Sequence, residues 1–426
     1  MKNKVAGWAL IGFFVLEGFT LIKTPIHQTD EFKLQLPSGF EATTLIPELG
    51  KNRHIVVHQN GDIYVRLNKL KDGKGILVLR DTNKDGVPEV VNSFGNFTGT
   101  GIAIKNGYLY ASSDKEVFRY KFNDKNEILD PEKPELIVTG LVAGRQHQTK
   151  SIALDNAGNI YVNIGAPSNS CQIEDRGKGS PGKDPCPLLD SAAGIWQFKA
   201  DKINQSYAQG LRYATGIRNV VGLDWNNTAN ELFAMQHGRD GFFQMFPDMY
   251  TPEQSAELPA EEMFMVKKGA NFGWPYCYYD PFQKKKILAP EYGGDGKKQG
   301  RCENMGTPVV AFPGHWAPNA LLFYTGNMFP AKYKNGAFVA FHGSWNRAPL
   351  EQKGYKVVFV PFKDGKPSGE FEMFADGFIG ADSIKAPRDA RFRPCGLAQG
   401  PDGALYISDS VVGRIWKVVY NKKKRA

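Results

Sequence analysis

The sequence has no CxxC pair, no CxxCH, no apolar run of bilayer length and no segment of low complexity. The first absence argues against zinc fingers, and the second excludes haem attached covalently to this chain. The third argues against a membrane-spanning helix. No Ser/Pro/Gly linker separates two cores, so the length is read as one large closed architecture rather than a string of domains. Charge of one sign is also modest. Lys and Arg number 53 against 44 Asp and Glu, a net +9, with the densest runs at Lys284–Lys286 and Lys422–Arg425. Neither run is interleaved with aromatics, so no nucleic-acid groove is expected. The runs read as a soluble basic surface, and a site for small anions stays open.

The N-terminus reads as a targeting segment. Lys2 and Lys4 precede an apolar stretch from Val5 to Leu16, Glu17 interrupts it, and Phe19–Ile22 resumes. That length suits a signal peptide. No small-x-small cleavage site is evident, so removal and retention as a membrane anchor are both open. Residues 1–30 are therefore set apart from the fold, and an exported protein is expected, periplasmic or extracellular. Disulfides are chemically allowed there. Five cysteines stand at 171, 186, 277, 302 and 395. The economical pairing is Cys171–Cys186 and Cys277–Cys302, each closing one Gly- and Lys-rich loop, with Cys395 free.

Glycine (46) and proline (26) are plentiful beside 28 Phe, 17 Tyr and 7 Trp, a mixture that suits many short strands. One phrase recurs, a Gly or Asn turn followed by an alternating apolar strand. It appears as Asn60-Gly-Asp-Ile-Tyr-Val65, Asn106-Gly-Tyr-Leu-Tyr-Ala111 and Ala157-Gly-Asn-Ile-Tyr-Val162. It returns without its glycine as Ala229-Asn-Glu-Leu-Phe-Ala234, then as Asn335-Gly-Ala-Phe-Val-Ala340 and Asp402-Gly-Ala-Leu-Tyr-Ile407. Period-2 alternation behind a turn marks a strand entered from a hairpin. Six copies at about 65 residues per unit fit four-stranded sheets repeated around an axis. The expectation is an all-β, six-bladed β-propeller over residues 31–426 with cysteine-bracketed loop insertions. One short helix is expected around Pro252–Met265. Asp81-Thr-Asn-Lys-Asp-Gly86 opens like a calcium loop, but its twelfth position is Asn92 rather than Glu, so it reads as a tight hairpin.

Residues that carry chemistry cluster beside glycines at strand ends. His147 lies in Gly144-Arg-Gln-His-Gln148, a polar loop just before a strand phrase, which places it at a blade end facing the channel. Imidazole titrates near neutral pH and suits a general base there. Then come Tyr213-Ala-Thr-Gly-Ile-Arg-Asn219, Gln236-His-Gly-Arg-Asp240 and Lys268-Gly-Ala-Asn-Phe-Gly-Trp-Pro275. Phe341-His-Gly-Ser-Trp-Asn-Arg347 and Ala390-Arg-Phe-Arg-Pro394 complete the set. Several guanidinium groups converging on one channel call for a multiply charged anion. The residues alone stop there, at a propeller with an anion-binding channel.

The order of these phrases resembles the glucose/sorbosone dehydrogenase family, soluble quinoproteins, over roughly residues 40–420. His-Gly-Ser-Trp-Asn-Arg and Arg-Phe-Arg-Pro are its most specific motifs here. The resemblance implies pyrroloquinoline quinone (PQQ) and Ca²⁺ in the channel, a small sugar as substrate and a separate electron acceptor. It implies that His147 is the catalytic base, and that Arg218 and Asn219 stand beside the quinone carbonyl. It further implies the carbonyls of Gly238 and Arg239 as calcium ligands, and Arg391 and Arg393 near the quinone carboxylates. Three departures bear on the substrate. Gln146 stands where an Asp precedes the base, and His237 replaces a Gln. A cofactor-contacting Lys falls near Asn346, with Arg347 as its replacement. The competing reading is a non-catalytic propeller that binds carbohydrate or a protein. A lactone hydrolase would need converging acidic metal ligands, which the phrases do not assemble.

Overall fold

A computed structural model describes Met1 and residues 32–422. The expected targeting segment and the end of the basic tail lie outside the described residues. The chain divides into Met1–Phe32 and Lys33–Ala426, and the second unit contains every strand described below. Among the described residues, the strands form six principal sheets, each with four antiparallel strands at its heart. The first strands of blades 1 to 6 are Asn52–Val57, Ile102–Lys105, Ile152–Leu154, Val220–Asn226, Pro318–Phe323 and Pro394–Gln399. Each touches the next and the last touches the first, so they wall a central channel.

The recurring phrase marks the second strand of every blade: Ile63–Lys71, Tyr108–Ser112, Asn159–Ile164, Glu231–Gln236, Ala337–Phe341 and Leu405–Asp409. Its turn residues explain the Gly/Asn signature. The hairpin at Asn106 and Gly107 has φ of 50° and 78°, left-handed at both positions. That geometry matches the twist of the strands it joins. The copy that lacks glycine uses Asn230 at φ 53°. Asparagine is the side chain that best tolerates this region.

Successive residues of a strand face opposite sides, and here both sides are covered. Ile160, Val162 and Ile164 pack toward blade 2 with Ile137 and Val138, while Tyr161 packs toward blade 4 with Leu232 and Phe264. The core is thus a series of slabs between neighbouring blades, and the strands read as almost continuously apolar. The ring closes within blade 6. Phe40–Ile46 is its fourth strand and pairs antiparallel with Ile415–Tyr420 from the far end of the chain.

Two insertions leave the blades and are cross-linked as the spacing suggested, by Cys171–Cys186 and Cys277–Cys302, with Cys395 free and buried. The helix expected around Pro252–Met265 needs correction. Only Pro252–Glu257 is helical, capped by Thr251, which accepts from Gln254 N. Pro259 then cannot donate a helical hydrogen bond, and Glu261–Val266 becomes the third strand of blade 4, paired with Glu231–Gln236. The Asp81–Gly86 loop is a hairpin turn in which the Asp81 carboxylate accepts from Asp85 N and Gly86 N. The basic surface run also needs correction at one residue, because Lys286 is buried.

Ring closure rests on aromatic packing as well as on the ladder. Phe40 meets Phe329, Tyr333 and Phe374 of blade 5 edge-on at 4.8–5.3 Å between centroids. Phe40→Ala should therefore destabilise the protein by about 3–5 kcal/mol. Urea unfolding of the purified variant is the measurement. A loss below about 1 kcal/mol would show that the closing strand is held by its backbone alone.

Candidate active site

In an up-and-down blade the turn between strands one and two lies at one end. The links between blades and the connection from strand two to strand three lie at the other. The recurring turns take the first end. His147, Arg218, Asn219, Gly238, Arg239, Arg347, Arg391 and Arg393 all fall in connections at the second. Topology alone therefore gathers the sequence candidates on one face.

His147 lies between Glu135–Thr139 of blade 2 and the first strand of blade 3, with φ 51°. Its Nδ1 is 2.6 Å from the carbonyl oxygen of Ala166. A carbonyl only accepts, so Nδ1 carries the proton and Nε2 keeps its lone pair. The approach depends on Gly165, where a Cβ would lie 2.6 Å from that of His147. Burial, followed by the Arg218 guanidinium, pushes this imidazole down to about 3. It is neutral across the physiological range.

Arg218 is anchored at every nitrogen. Nε donates to the Asn169 carbonyl at 3.1 Å, and Nη1 donates to the Gly238 carbonyl at 2.9 Å. Nη2 donates to Asn169 Oδ1 at 3.0 Å and to Asp240 Oδ2 at 2.8 Å. Asp240 is the hub of the face. Its Oδ2 also accepts from Arg176 at 2.6 Å, and its Oδ1 accepts from the Asn346 side-chain amide. Burial alone would raise this carboxyl, but Arg218 and Arg176 hold it well below the usual carboxylate range. Asn219 lies beside Arg218, and its Oδ1 is buried without a hydrogen-bond partner, as is Asn346 Oδ1.

The remaining candidates divide. The Arg239 side chain turns away, paired with Glu291 and 4.3 Å over the Phe242 ring, which leaves its carbonyl as the relevant atom. Arg393 donates to the carbonyls of His342 at 3.0 Å and Gly343 at 2.6 Å, and it has no carboxylate within ion-pair distance among the described residues. Arg391 is exposed and stands 5.3 Å from the Phe392 ring. Arg347, the expected replacement for a cofactor-contacting lysine, is engaged by the protein itself. It is buried, and its nitrogens go to the carbonyls of Glu351, Ala256 and Gly314 and to the Glu257 carboxylate. It fastens the 342–355 loop and has no nitrogen without a protein acceptor.

His237 reaches the Pro318 carbonyl at 3.0 Å and His54 reaches the Asn319 carbonyl at 2.7 Å. Burial pushes each down to about 4. Sequence reasoning missed Asp240, Asn169 and Arg176. Asp240 stands in a quoted phrase, but nothing in one sequence shows that three side chains from other loops converge on it.

These features can be set against known proteins. A protein of Borreliella burgdorferi named only as uncharacterized is 25% identical over 426 residues, 96% of either chain. A pyrroloquinoline quinone-dependent sugar dehydrogenase of Hypocrea jecorina is 21% identical over 413 residues, covering 89% of this chain and 87% of that one. The calcium structure of the Trichoderma reesei enzyme of carbohydrate-active family AA12 superposes with a TM-score of 0.71 at 20% identity, over 92% of this chain and all of that one. That likeness bears out the six-bladed fold. The profile of TrAA12-like proteins matches residues 34–421. The motif resemblance thus holds for almost the whole propeller, and the chain belongs to the TrAA12-like family.

Proposed function

We propose that this protein is an exported quinoprotein dehydrogenase that oxidises a sugar with PQQ and Ca²⁺ and hands the electrons to a separate acceptor. The observation that carries the reading is His147: a neutral imidazole with a free Nε2 lone pair, in the electrostatic field of Arg218 and Asp240. The names of the Hypocrea and Trichoderma relatives support the cofactor class.

The residues fit the cofactor's chemistry. PQQ is a multiply charged carboxylate, and Arg393 is a partly buried guanidinium bonded only to carbonyls. Arg391 lies two residues away at the exposed rim. Calcium takes carbonyl and amide oxygens. The carbonyls of Gly238 and Arg239 and the unpartnered Oδ1 of Asn219 are oxygens of that kind. When bound, the quinone supplies a hydride acceptor and the metal a Lewis acid.

The protein's own part is positioning and proton transfer. His147 Nε2 takes the hydroxyl proton of the sugar, while Nδ1–H stays on the Ala166 carbonyl and holds the ring's orientation. An anion beside Arg218 offsets the guanidinium's field and moves the imidazole back toward its ordinary range, which improves it as a base. Arg218 is immobilised by Asn169, Gly238 and Asp240 and presents a fixed positive charge to oxygen atoms that become negative. With no CxxCH in the chain, the acceptor is a separate molecule. The two disulfides support an oxidising compartment, in keeping with the targeting segment.

Purified protein given PQQ and Ca²⁺ should bleach an artificial dye when an aldose is added. Failure across a panel of aldoses would count against the reading. His147→Gln should still bind PQQ and Ca²⁺ but slow reduction by sugar by about 10²–10⁴-fold in stopped flow. Re-oxidation by the dye should be unchanged, because no sugar proton moves in that step. Near-normal reduction would return His147 to a structural role.

Arg393→Ala should raise the PQQ dissociation constant at least about tenfold, or about 1.4 kcal/mol. Equilibrium titration of folded protein is the check.

The histidines also set an acid limit. His147, His54 and His237 have folded values of about 3, 4 and 4 against 6.5 unfolded. The unfolded chain therefore binds more protons below pH 6.5. The stability these groups contribute is complete above that pH and is lost as pH falls toward 4. Each adds a slope of up to about 1.4 kcal/mol per pH unit. The urea midpoint should accordingly drop steeply between pH 6.5 and 4, and a flat profile would contradict the neutral histidines.

A further inference from the structure

Lys286 belongs to a basic run but not to the surface. It lies on Lys285–Leu288, which pairs with Cys277–Asp280 in a hairpin inside the loop closed by Cys277–Cys302. Its Nζ is 2.6 Å from Glu262 Oε2. Glu262 Oε1 accepts from Gln236 Nε2 at 2.8 Å, and Gln236 Oε1 accepts from the backbone N–H of Arg218 at 2.8 Å. Lys286, Glu262, Gln236 and Arg218 are 1%, 1%, 6% and 3% exposed, so water offers no substitute partners.

We propose that Lys286 is a positioning residue for Arg218, acting through Glu262 and Gln236. The assignment rests on the reading that Arg218 serves the sugar-oxidising site. The chemistry is directional. A carboxylate is acceptor-only, so Gln236 must turn its NH₂ toward Glu262 and its oxygen toward the Arg218 N–H. A neutral carboxyl carries a hydroxyl that can donate. That hydroxyl competes with the Arg218 N–H for Gln236 Oε1. The ammonium of Lys286 keeps Glu262 in its acceptor-only state and so fixes the amide's sense. Stability alone does not account for such a pair, because replacing both charges of a buried ion pair by neutral groups is often neutral or stabilising.

The test uses that difference. The double variant Lys286→Met/Glu262→Gln removes both charges together and leaves no unpaired ion. A purely structural pair predicts that it behaves as wild type in every respect. The proposal predicts a thermal midpoint close to wild type but amide hydrogen exchange at Arg218 at least about tenfold faster. The amide that replaces the Glu262 carboxylate brings an NH₂ that competes with the Arg218 N–H for Gln236 Oε1. Exchange is read by mass spectrometry on peptides spanning 216–222, without cofactor, and amides of Glu261–Val266 serve as the internal reference. Gln236→Leu, which leaves the ion pair intact, should speed the same amide by a similar factor. Unchanged Arg218 exchange in the folded double variant would overturn the proposal. In protein loaded with PQQ and Ca²⁺, kcat should fall about tenfold with KM for the aldose little changed. Faster exchange with unaltered turnover would uphold the positioning by Lys286 and overturn the part given to Arg218 in the reaction.

Discussion

The pairing of Phe40–Ile46 with Ile415–Tyr420 keeps the ring shut, and every distance on the functional face presupposes it. The groups that meet there come from different blades. His147 and Asn169 enter with blade 3, Arg218 and Asp240 with blade 4, Asn346 with blade 5 and Arg393 with blade 6. Contacts of 2.6–3.1 Å from Arg176 to Asp240 and from Arg218 to Asn169 cross between blades 3 and 4, and Arg393 reaches the His342 and Gly343 carbonyls of blade 5. No single blade carries the site, and an open ring would let the walls splay. A misplacement of about 1 Å in such a constellation is enough to cost 10²-fold in rate. Packing of Phe40 against blade 5 thus bears on chemistry on another part of the ring.

Within the closed ring, charge is arranged unevenly. One carboxylate, Asp240, is shared by Arg176 and Arg218, and the amide of Asn346 takes its other oxygen. The Asp409 carboxylate is spent on the N–H groups of Arg393, Val411, Val412 and Gly413. His54, His147 and His237, pushed down by burial, add no charge. Arg393 remains positive with only carbonyl partners for its guanidinium, and the buried amide oxygens of Asn219 and Asn346 are without hydrogen-bond partners. A surface of this sign favours anions whose charge it can offset, and the low local dielectric strengthens that preference. The buried Lys286–Glu262 pair contributes directionality instead.

The fold was legible because its signal is repeated. Six turn-strand phrases sample the same hairpin, and copy four survives the loss of its glycine because Asn230 adopts the same left-handed conformation. The disulfides were legible because loop closure is local in sequence. Candidate residues lay beside glycines at strand ends, and topology carried them to one face. Partners were not legible. Asn169 and Asp240 belong to different connections, and Lys286 reaches Glu262 from the cross-linked hairpin, so these meetings depend on how the insertions pack. Arg347 shows another side of this. Its place in a specific motif suggested an anion ligand, and in space its guanidinium ties the loop that carries the motif to the Ala256 carbonyl and the Glu257 carboxylate. The helix beyond Glu257 failed for a local reason, since Pro259 and the pull of strand pairing override an otherwise acceptable sequence.

Gln146 illustrates how a departure in sequence reads differently in space. The position before the base holds an amide where the resemblance leads one to expect a carboxylate. In the structure that amide donates to Asp175 Oδ2 at 2.6 Å and accepts from Arg176 Nη2 at 3.3 Å. A carboxylate is therefore present, but one residue further out and supplied by the cross-linked insertion, with Arg176 between it and Asp240. The negative charge is moved away from His147, whose field is set instead by burial, Arg218 and Asp240. A carboxylate directly beside the base would raise its proton affinity. Here that help has to come from whatever anion occupies the channel. With His147 as the proposed base, its proton affinity rises when an anion fills the channel, and binding and proton abstraction would then be coupled through Arg218 rather than through the residue that precedes the histidine.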